Sequence, residues 1–479
     1  MPSNNLVSKL VAGTAEMNVS PPLGAPLLGT IQRSEGVHDD LIARALVLND
    51  GRQRVAIVCF DLIGMDFALA DGIRHAIEAR TGIDFVLLNC SHTHSSPFTI
   101  PWSVLGPRWL SEHGKNWRAE LAPRTADLVS RADERAEPVT LRVGRSPVQV
   151  GSNRRFPTAQ GIVMKPNPAG TLVPWVDVLV VDRVRGGPAA VLFSHGAHPV
   201  VIHGASRLVS ADFPGFAARR LKALFGGGPV ALFAQACGAN VNADPLRGGF
   251  EAAEHAGTLL AEAAFDAASA SQPLPTSEFQ LKRIKTELPL QQLPDREACL
   301  IALRQAEERV SRRCGEFALD DQKLWDLQDG LGAAESQATS SKTDDVQPMD
   351  NQPWWLIDNV LCLKDLLNKI DRGSNANLRF EAQLLRIGDH WSLLSVTHEL
   401  FAEYQLWFDK NVPTEHNMML AYTNACESYV PTDRDFALGG YEAATFPSLD
   451  GAAFKYHHRR ALRAGTEEMV IEQLRSLWM

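Results

Sequence analysis

The sequence predicts an α/β protein: a mixed central sheet flanked by helices, with a helical insertion. Short apolar runs such as Arg54–Phe60 and Phe85–Asn89 alternate with segments of helical periodicity. Polar or histidine-rich segments follow several of these runs, and loops at strand ends are where open α/β sheets bind ligands. We therefore expect a catalytic α/β unit in two parts, residues 1–289 and 373–479, separated by a helical insertion at residues 290–372.

The first part of the chain supplies most of the predicted sheet. The pattern of apolar residues predicts strands at Leu10–Val19, Leu41–Leu48, Arg54–Phe60, Phe85–Asn89, Val139–Val143, Val176–Val184, Ala189–Ser194 and Val230–Gln235. Helical periodicity predicts helices at Asp66–Arg80, Trp117–Ala132, Phe213–Phe225 and Gly249–Ala270. The charged segment Asn153–Phe156 (NRRF) is expected in a loop between two strands.

The second half of the chain differs in composition. Pro294–Asp329 and Trp354–Ile370 are predicted to be helical, and the polar stretch Ser336–Asp345 joins them. This pattern favours a helical insertion with a flexible tip that acts as a lid. The sheet is then expected to resume, and helices close the chain. These last elements are the strands Arg379–Ile387 and Trp391–Val396 and the helices Leu400–Phe408 and Thr466–Leu477.

Composition narrows the classes of partner. The chain has 479 residues, a net charge of −9 and 45% hydrophobic residues, which is typical of a globular enzyme. An acidic balance argues against nucleic acid and anionic membranes as main partners. No apolar run reaches the ~18–20 residues of a membrane span. The seven cysteines are scattered and no signal-peptide pattern is present, so we expect free thiols and a cytoplasmic location. Assembly into a homo-oligomer is left open.

The segment SHTHSSP, directly after the predicted strand Phe85–Asn89, is the most informative motif. Its histidines, His92 and His94, are two positions apart, so on an extended backbone their side chains point the same way. Imidazole is the commonest metal ligand and transfers protons near neutral pH. The motif therefore indicates metal binding or catalysis, with a pair of ordinary loop histidines as the alternative.

A second histidine cluster follows the strand Ala189–Ser194. His195, His198 and His203 fall within nine residues, although the whole chain has only 14 histidines. Pro199 restricts the backbone beside His198, which suits a positioned ligand. We expect at most one of the three to bind a metal.

A third candidate, Glu399, follows the strand Trp391–Val396. A carboxylate there is either a charge partner of a helix N-terminus or a metal ligand. If the three strand ends meet, His92, His198 and Glu399 form a set of two imidazoles and one carboxylate. That set is typical of a hydrolytic zinc site with an open position for water.

Other polar residues near the strand ends have simpler explanations. Asp212 is expected to be the N-cap of the helix that follows it. Cys237 is expected to be a small residue at a tight turn, because it lies in no nucleophile elbow. Ser95 and Ser96 are expected to be turn residues.

Several segments, in this order, resemble the neutral/alkaline (non-lysosomal) ceramidase family, zinc amidases that cleave the N-acyl bond of ceramide. The matching segments are Gly36–Leu48, SHTHSSP, Asn153-Arg154, His198–Ala217, Gln235–Pro245, His398–Tyr404 and Glu427–Glu442. The resemblance spans roughly residues 10–450, apart from the helical insertion.

The resemblance implies a set of functional residues. Zn²⁺ would be the cofactor, with His92, His198, Glu399 and Tyr429 as its ligands. His94 would be a proton donor or a contact of the oxyanion, and Arg154 would bind the substrate carbonyl or its oxyanion. Tyr441 is a further candidate near the substrate.

The chain departs from the family pattern at three places. Asn240 replaces the aspartate of a Gly-Asp pair, and Asn242 replaces the serine often discussed as catalytic. Thr397-His398 replaces the Pro-Gly pair before the glutamate, which would put an extra titratable group beside the metal. These changes argue against a serine nucleophile, and they make His398 and Asn240 candidate substrate contacts.

The resulting expectation is a zinc-dependent hydrolase that cleaves an amide (N-acyl) bond of a small-molecule or lipid-amide substrate through a metal-activated water. Two alternatives stay open. One is a cytoplasmic metal-dependent hydrolase of a small ester, lactone or carbohydrate-like substrate. The other is a non-catalytic ligand-binding homologue, which the changes at Asn240 and Asn242 favour. A transferase or isomerase that uses the same Lewis acid is also compatible with the fold.

Overall fold

The computed structural model describes residues 10–29, 32–103, 114–314, 323–324, 353–374, 376–444 and 446–479. The helices are α1 (Phe67–Thr81), α2 (Lys115–Glu134), α3 (Asp212–Leu224), α4 (Phe250–Ser269), α5 (Arg296–Cys314), α6 (Pro353–Asp371), α7 (Ala402–Asn411), α8 (Asp433–Leu438), α9 (Ala452–Lys455) and α10 (Thr466–Ser476). The strands up to the second histidine cluster are β1 (Val11–Asn18), β2 (Pro26–Leu27), β3 (Gln32–Arg33), β4 (Gly36–Val37), β5 (Ile42–Asn49), β6 (Arg54–Phe60), β7 (Phe85–Cys90), β8 (Glu137–Pro147), β9 (Gly151–Thr158), β10 (Gly161–Asn167), β11 (Trp175–Arg183) and β12 (Pro188–His195). The remaining strands are β13 (Leu208–Val209), β14 (Val230–Gln235), β15 (Val241–Ala243), β16 (Gln272–Pro273), β17 (Phe279–Leu288), β18 (Leu378–Ile387), β19 (Trp391–Val396), β20 (Glu399–Leu400), β21 (His416–Leu420) and β22 (Tyr429–Val430).

The main sheet is mixed, as the sequence predicts. Its strands run in the order β14-β12-β11-β8-β1-β5-β6-β7, with β16 beside β8. The inner pairs are antiparallel, whereas the pairs at the two ends, β12 with β14 and β6 with β7, are parallel. All six residues of β7 are buried, as expected for a parallel strand covered on both faces. The predicted α/β class is confirmed.

A second sheet, in the order β17-β18-β19-β21, packs on one face of the main sheet through a shared apolar cluster, and the buried side chain of Asn89 links the two sheets. Its amide nitrogen donates to the carbonyls of Gln235 on β14 and Ala421 after β21, at 3.2 and 2.8 Å. Its amide oxygen accepts from the backbone N–H of Gln235 at 2.8 Å. One buried side chain thus fixes the ends of β7, β14 and β21 beside one another.

Helices cover one face of the main sheet, and the second sheet covers the other. Helix α1 begins after the N-cap Asp66, whose carboxylate accepts from the Leu69 N–H, and it ends at Gly82 with a left-handed backbone. Helices α3 and α4 approach closely because Gly257 has no side chain. A Cβ there would lie 2.7 Å from the Phe213 carbonyl oxygen, so any larger residue would push the two helices apart.

The helical segments of the predicted insertion share the core of the second sheet. Trp355, Ile357 and Leu363 of α6 are buried in one apolar cluster with Phe380 of β18 and Ile63 after β6. The division into two parts and an insertion, and the role of a lid, stay predictions. The predicted flexible tip Ser336–Asp345, and most of the predicted helix beyond residue 314, lie outside the described residues.

Three local predictions were wrong. The NRRF segment is not a loop but part of β9, and Arg154 and Arg155 are buried there because each forms ion pairs. Strands β10, β17 and β21 were not predicted, because their sequences lack the continuous apolar runs of the other strands. Asp212 is the first residue of α3, not its N-cap, although its carboxylate still accepts from the Phe213 N–H at 2.6 Å.

None of the described helices has both the length and the apolar character needed to cross a membrane.

Candidate metal and catalytic site

His92 is positioned by the end of β7. The N–H groups of Ser91 and His92 donate to the carbonyls of Phe60 and Leu62, so the segment continues the pairing of β7 with β6. His92 itself has a φ of 69°, a left-handed conformation that turns the chain at this point. Its Nδ1 lies 2.5 Å from the Ile63 carbonyl oxygen. Since a carbonyl only accepts, the Nδ1 carries the hydrogen and the Nε2 presents a lone pair.

His198 is positioned by the loop after β14. Its backbone N–H donates to the Val241 carbonyl at 2.9 Å, and its Nδ1 donates to the Gly238 carbonyl at 2.8 Å. This arrangement requires a glycine at position 238, because a Cβ would lie 2.8 Å from the Ala197 backbone nitrogen. The Nε2 of His198 is therefore also a lone-pair donor, like that of His92.

Glu399 and Tyr429 are direct neighbours on two short parallel strands, β20 and β22. The Glu399 N–H donates to the Ser428 carbonyl at 3.0 Å. Glu399 lies before α7, which begins at Ala402, and both residues are buried. The structure therefore does not make Glu399 part of the first turn of a helix.

The polar atoms of these residues converge on one point. Glu399 Oε2 lies 3.1 Å from the Nε2 of His198 and 3.4 Å from the Nε2 of His92. Tyr429 Oη lies 3.4 Å from the Nε2 of His198. Burial lowers the pKa of His92 to about 3 and that of His198 well below its ordinary value, so both rings are neutral near pH 7. Two nitrogen lone pairs and a carboxylate oxygen thus face one another with no hydrogen between them.

These separations fit a bound metal ion. Two ligand atoms that each lie about 2.0–2.1 Å from one ion, at an angle near the tetrahedral value, are about 3.3–3.4 Å apart. The three contacts Glu399–His198, Glu399–His92 and Tyr429–His198, at 3.1, 3.4 and 3.4 Å, are close to that separation. A cation would remove the mutual repulsion of the three acceptors, and the buried donor set therefore suits a divalent metal ion.

His94 lies beside this point. One ring nitrogen from each of His92, His94 and His198 lies within 4.8 Å of the others, so these three histidines also form a group that could hold a metal ion. The Nδ1 of His94 is 3.0 Å from the Nδ1 of His203, whereas its buried Nε2 has no hydrogen-bond partner in the part of the chain that the structure describes. Burial and then the His203 ring lower the pKa of His94 well below its ordinary value. His94 thus presents a neutral ring.

Arg154 contacts this group of residues through Tyr429. Its Nε donates to Glu442 at 2.7 Å, its Nη1 to the side-chain oxygen of Asn242 at 3.0 Å and its Nη2 to Tyr429 Oη at 3.3 Å. Burial opposes the charge of Arg154, but Tyr429 and Glu442 outweigh it, so the pKa of Arg154 lies above its ordinary value. The partly buried ring of Tyr441 lies 5.8 Å from the guanidinium carbon, which places Tyr441 beside the group as expected.

The structure does not bring His398 and Asn240 into this group. The Nε2 of His398 donates to the Arg379 carbonyl at 2.7 Å, and its Nδ1 accepts from the Glu427 N–H at 3.1 Å. The amide of Asn240 donates to Glu403 and accepts from the Ala402 N–H, both at 2.9 Å. Both side chains are thus engaged within the protein, and their role as substrate contacts stays a prediction. His195 is also absent from the group, because its Nδ1 bonds to the Trp175 carbonyl.

Two tyrosines that the sequence analysis missed contact Glu399. Tyr456 Oη donates to Glu399 Oε1 at 2.6 Å, and Tyr422 Oη donates to Oε2 at 3.4 Å. Neither tyrosine lies in a motif with the spacing of metal ligands, so only the structure relates them to the site.

No protein-family model matches this sequence, and no curated protein matches it. Among solved structures, the chain is similar to neutral ceramidase from Pseudomonas aeruginosa, with a TM-score of 0.65 and 19% sequence identity over 96% of this chain and 73% of that chain. It is also similar to a ceramidase complexed with C2, with a TM-score of 0.64 and 18% identity over 96% of this chain and 74% of that chain. The resemblance to neutral ceramidases is therefore confirmed as a similarity of fold that spans nearly the whole chain.

Proposed function

We propose that this protein is a zinc-dependent, ceramidase-like hydrolase that cleaves an amide (N-acyl) bond. The observation that carries the proposal is the convergence on Glu399, whose Oε2 lies 3.1 and 3.4 Å from the Nε2 lone pairs of His198 and His92. A buried arrangement of this kind is stabilised by a cation. The similarity in fold to two ceramidase structures supports the choice of reaction.

In this proposal His92, His198, Glu399 and Tyr429 hold Zn²⁺. When bound, zinc supplies a Lewis acid that polarises a carbonyl and lowers the pKa of a water ligand to about 7. The carbonyl partners of the two Nδ1 atoms, Ile63 and Gly238, fix both rings in the tautomer that leaves Nε2 free. The two imidazole rings therefore need little rearrangement when the ion binds.

Arg154 is proposed to stabilise negative charge on the substrate oxygen. Its guanidinium is held by Glu442 and Asn242, so it is oriented before the substrate binds. The charge is permanent because the pKa of Arg154 lies above its ordinary value. A preorganised donor to a developing oxyanion contributes about 3–4 kcal/mol to the reaction barrier.

His94 is proposed to move the proton that the leaving nitrogen requires. Its Nε2 is buried beside the ligand nitrogens and has no hydrogen-bond partner among the described residues. The contact with His203 Nδ1 at 3.0 Å places a hydrogen on one of the two Nδ1 atoms. If His203 donates, the hydrogen of His94 is on Nε2, on the side of the proposed metal.

Activity assays test the proposal. We assay the protein after metal removal and again after Zn²⁺ is restored. The substrates are N-acyl amides with short and long acyl chains, small esters and lactones. We expect restoration of amide hydrolysis by zinc, and no restoration in His92→Ala. Hydrolysis of esters or lactones alone would favour the small-substrate alternative. Equal amide hydrolysis with and without metal would contradict the proposal.

A further inference from the structure

We propose that Tyr456 is a positioning residue that limits Glu399 to a single metal-binding oxygen. The inference rests on the proposed metal site. It concerns the two oxygens of Glu399, which have different surroundings although the carboxylate itself is symmetric. Oε2 faces the Nε2 atoms of His198 and His92 at 3.1 and 3.4 Å. Oε1 accepts a hydrogen bond from Tyr456 Oη at 2.6 Å.

The short contact to Tyr456 occupies Oε1. A hydroxyl that donates to a carboxylate forms a charge-assisted bond, which is stronger than a bond between neutral groups. Glu399 and Tyr456 are both almost completely buried, so water does not compete for this bond. Oε1 would have to give up the bond before it could bind an ion as a second oxygen ligand.

Tyr456 is itself held in place from two sides. Its backbone pairs with Trp102, which follows the SHTHSSP loop, and its N–H donates to the Ala452 carbonyl at 3.2 Å. The preceding residue, Lys455, is completely buried and forms an ion pair of 2.6 Å with Asp358 of α6. The hydroxyl of Tyr456 is therefore directed at Glu399 by a rigid segment.

One-oxygen binding has a chemical consequence. A carboxylate that binds through both oxygens takes two positions around an ion, whereas one that binds through a single oxygen leaves a position for water or substrate. With His92, His198 and Tyr429 as the other ligands, a one-oxygen Glu399 makes four protein contacts and leaves a fifth position for water or substrate, whereas a two-oxygen Glu399 would fill it. Tyr456 would thus preserve the open position without touching the substrate, and Tyr422, which donates to Oε2 at 3.4 Å, does not replace it.

The test uses the full-length protein loaded with Co²⁺, whose visible absorption is weaker at higher coordination numbers. In Tyr456→Phe we expect weaker absorption, because Oε1 is free to bind, and a 10–100-fold change in metal affinity in a chelator competition. The matched control is Tyr404→Phe, a buried tyrosine whose hydroxyl donates to the Pro431 carbonyl at 3.1 Å. We expect the control to behave like the wild type.

An unchanged spectrum and affinity in folded Tyr456→Phe would overturn the inference. Wild-type protein that binds neither Co²⁺ nor Zn²⁺ would instead overturn the proposed function. If Tyr456→Phe does not fold, the infrared difference spectrum of the wild type on zinc binding decides. With Oε1 held by Tyr456, one-oxygen binding keeps the separation of the two carboxylate stretches at or above that of the metal-free carboxylate, and a separation clearly below it, typical of binding through both oxygens, would contradict the inference.

Discussion

Arg154 shows how a single side chain is tuned by its neighbours. The guanidinium is buried and yet stays charged, because Glu442 neutralises it, and Asn242 and Tyr429 each accept one further hydrogen bond from it. Glu442 in turn is shared with Arg155 at 2.5 Å, so the removal of Arg154 does not leave that carboxylate unpaired. The charge of Arg154 is therefore separable from the stability of the fold.

For this reason we expect Arg154→Met to lower kcat/KM about 100–1,000-fold, the usual loss for one oxyanion donor, at unchanged metal content. Steady-state kinetics on the best amide substrate, with metal analysis of the same sample, measure both quantities. A loss of less than about threefold would show that Arg154 does not contact the reacting carbonyl.

At the scale of residues, the sequence indicates those members of the candidate metal site that directly follow a recognisable strand. His92, His198 and Glu399 converge because the buried strands before them, β7 and β12 of the main sheet and β19 of the second sheet, end close together. The engagement of His398 and Asn240 within the protein could not be predicted from sequence, because a side chain that bonds to the backbone looks the same as one that faces a ligand. Tyr456 could not be found, because it approaches Glu399 from a segment 57 positions away.

The buried pair of Lys455 and Asp358 connects two elements of the fold. Lys455 Nζ contacts Asp358 and Asn359 of α6 and lies 4.2 Å from the ring centre of Trp355. Burial raises the pKa of Asp358, but the Lys455 charge outweighs it and holds that pKa below its ordinary value. Helix α6 is thus joined to the segment that carries Tyr456.

Removal of Lys455 takes its positive charge away from the buried Asp358 carboxylate, which keeps the Ser103 hydroxyl among its partners. We therefore expect Lys455→Met to lower the free energy of unfolding by about 3–5 kcal/mol, as measured by urea denaturation. The control is Arg304→Met, which removes an exposed ion pair with Glu297 and should change stability by less than about 1 kcal/mol. Equal effects of the two substitutions would show that the buried pair does not hold α6 in place.

At the scale of elements, the sequence predicts the strands that are apolar on both faces, such as β6, β7 and β14. It does not predict β9, whose arginines become buried only because Glu442 and Asp435, almost 300 residues away, pair with them. It does not predict β17 either, a strand with alternating exposed charges that pairs with β18 along its whole length. Pairing between residues so far apart along the chain leaves no local pattern in the sequence that could predict these strands.

The whole molecule buries many neutral histidines, and this determines how its stability depends on pH. In the unfolded chain these histidines bind protons below about pH 6.5, whereas the folded chain cannot protonate them there. Burial lowers the pKa of His92 and His203 to about 3 and that of His398 to about 4. It also lowers the pKa of other described histidines, namely His94, His195, His198 and His458.

Buried carboxyl groups act in the opposite direction, among them Asp177, whose pKa burial raises to about 6. Burial raises the pKa of Asp212 and Glu427 to about 7, so these groups bind protons in the folded state first and stabilise it as the pH falls. Because the histidines outnumber them, we expect the metal-free protein to lose roughly 5 kcal/mol of unfolding free energy between pH 7 and pH 5. Urea denaturation at pH 7, 6 and 5 measures this change. Constant or rising stability on acidification would contradict the burial of neutral histidines.

The central claim is that His92, His198, Glu399 and Tyr429 hold a metal ion. The most direct test is the metal content of purified wild type, His92→Ala and His255→Ala, measured by mass spectrometry after incubation with Zn²⁺ and removal of excess ion. His255 is an exposed histidine on α4 and serves as the control. We expect about one zinc per chain in the wild type and in His255→Ala, and almost none in His92→Ala. Zinc-free wild-type protein, or equal zinc content in all three proteins, would contradict the account.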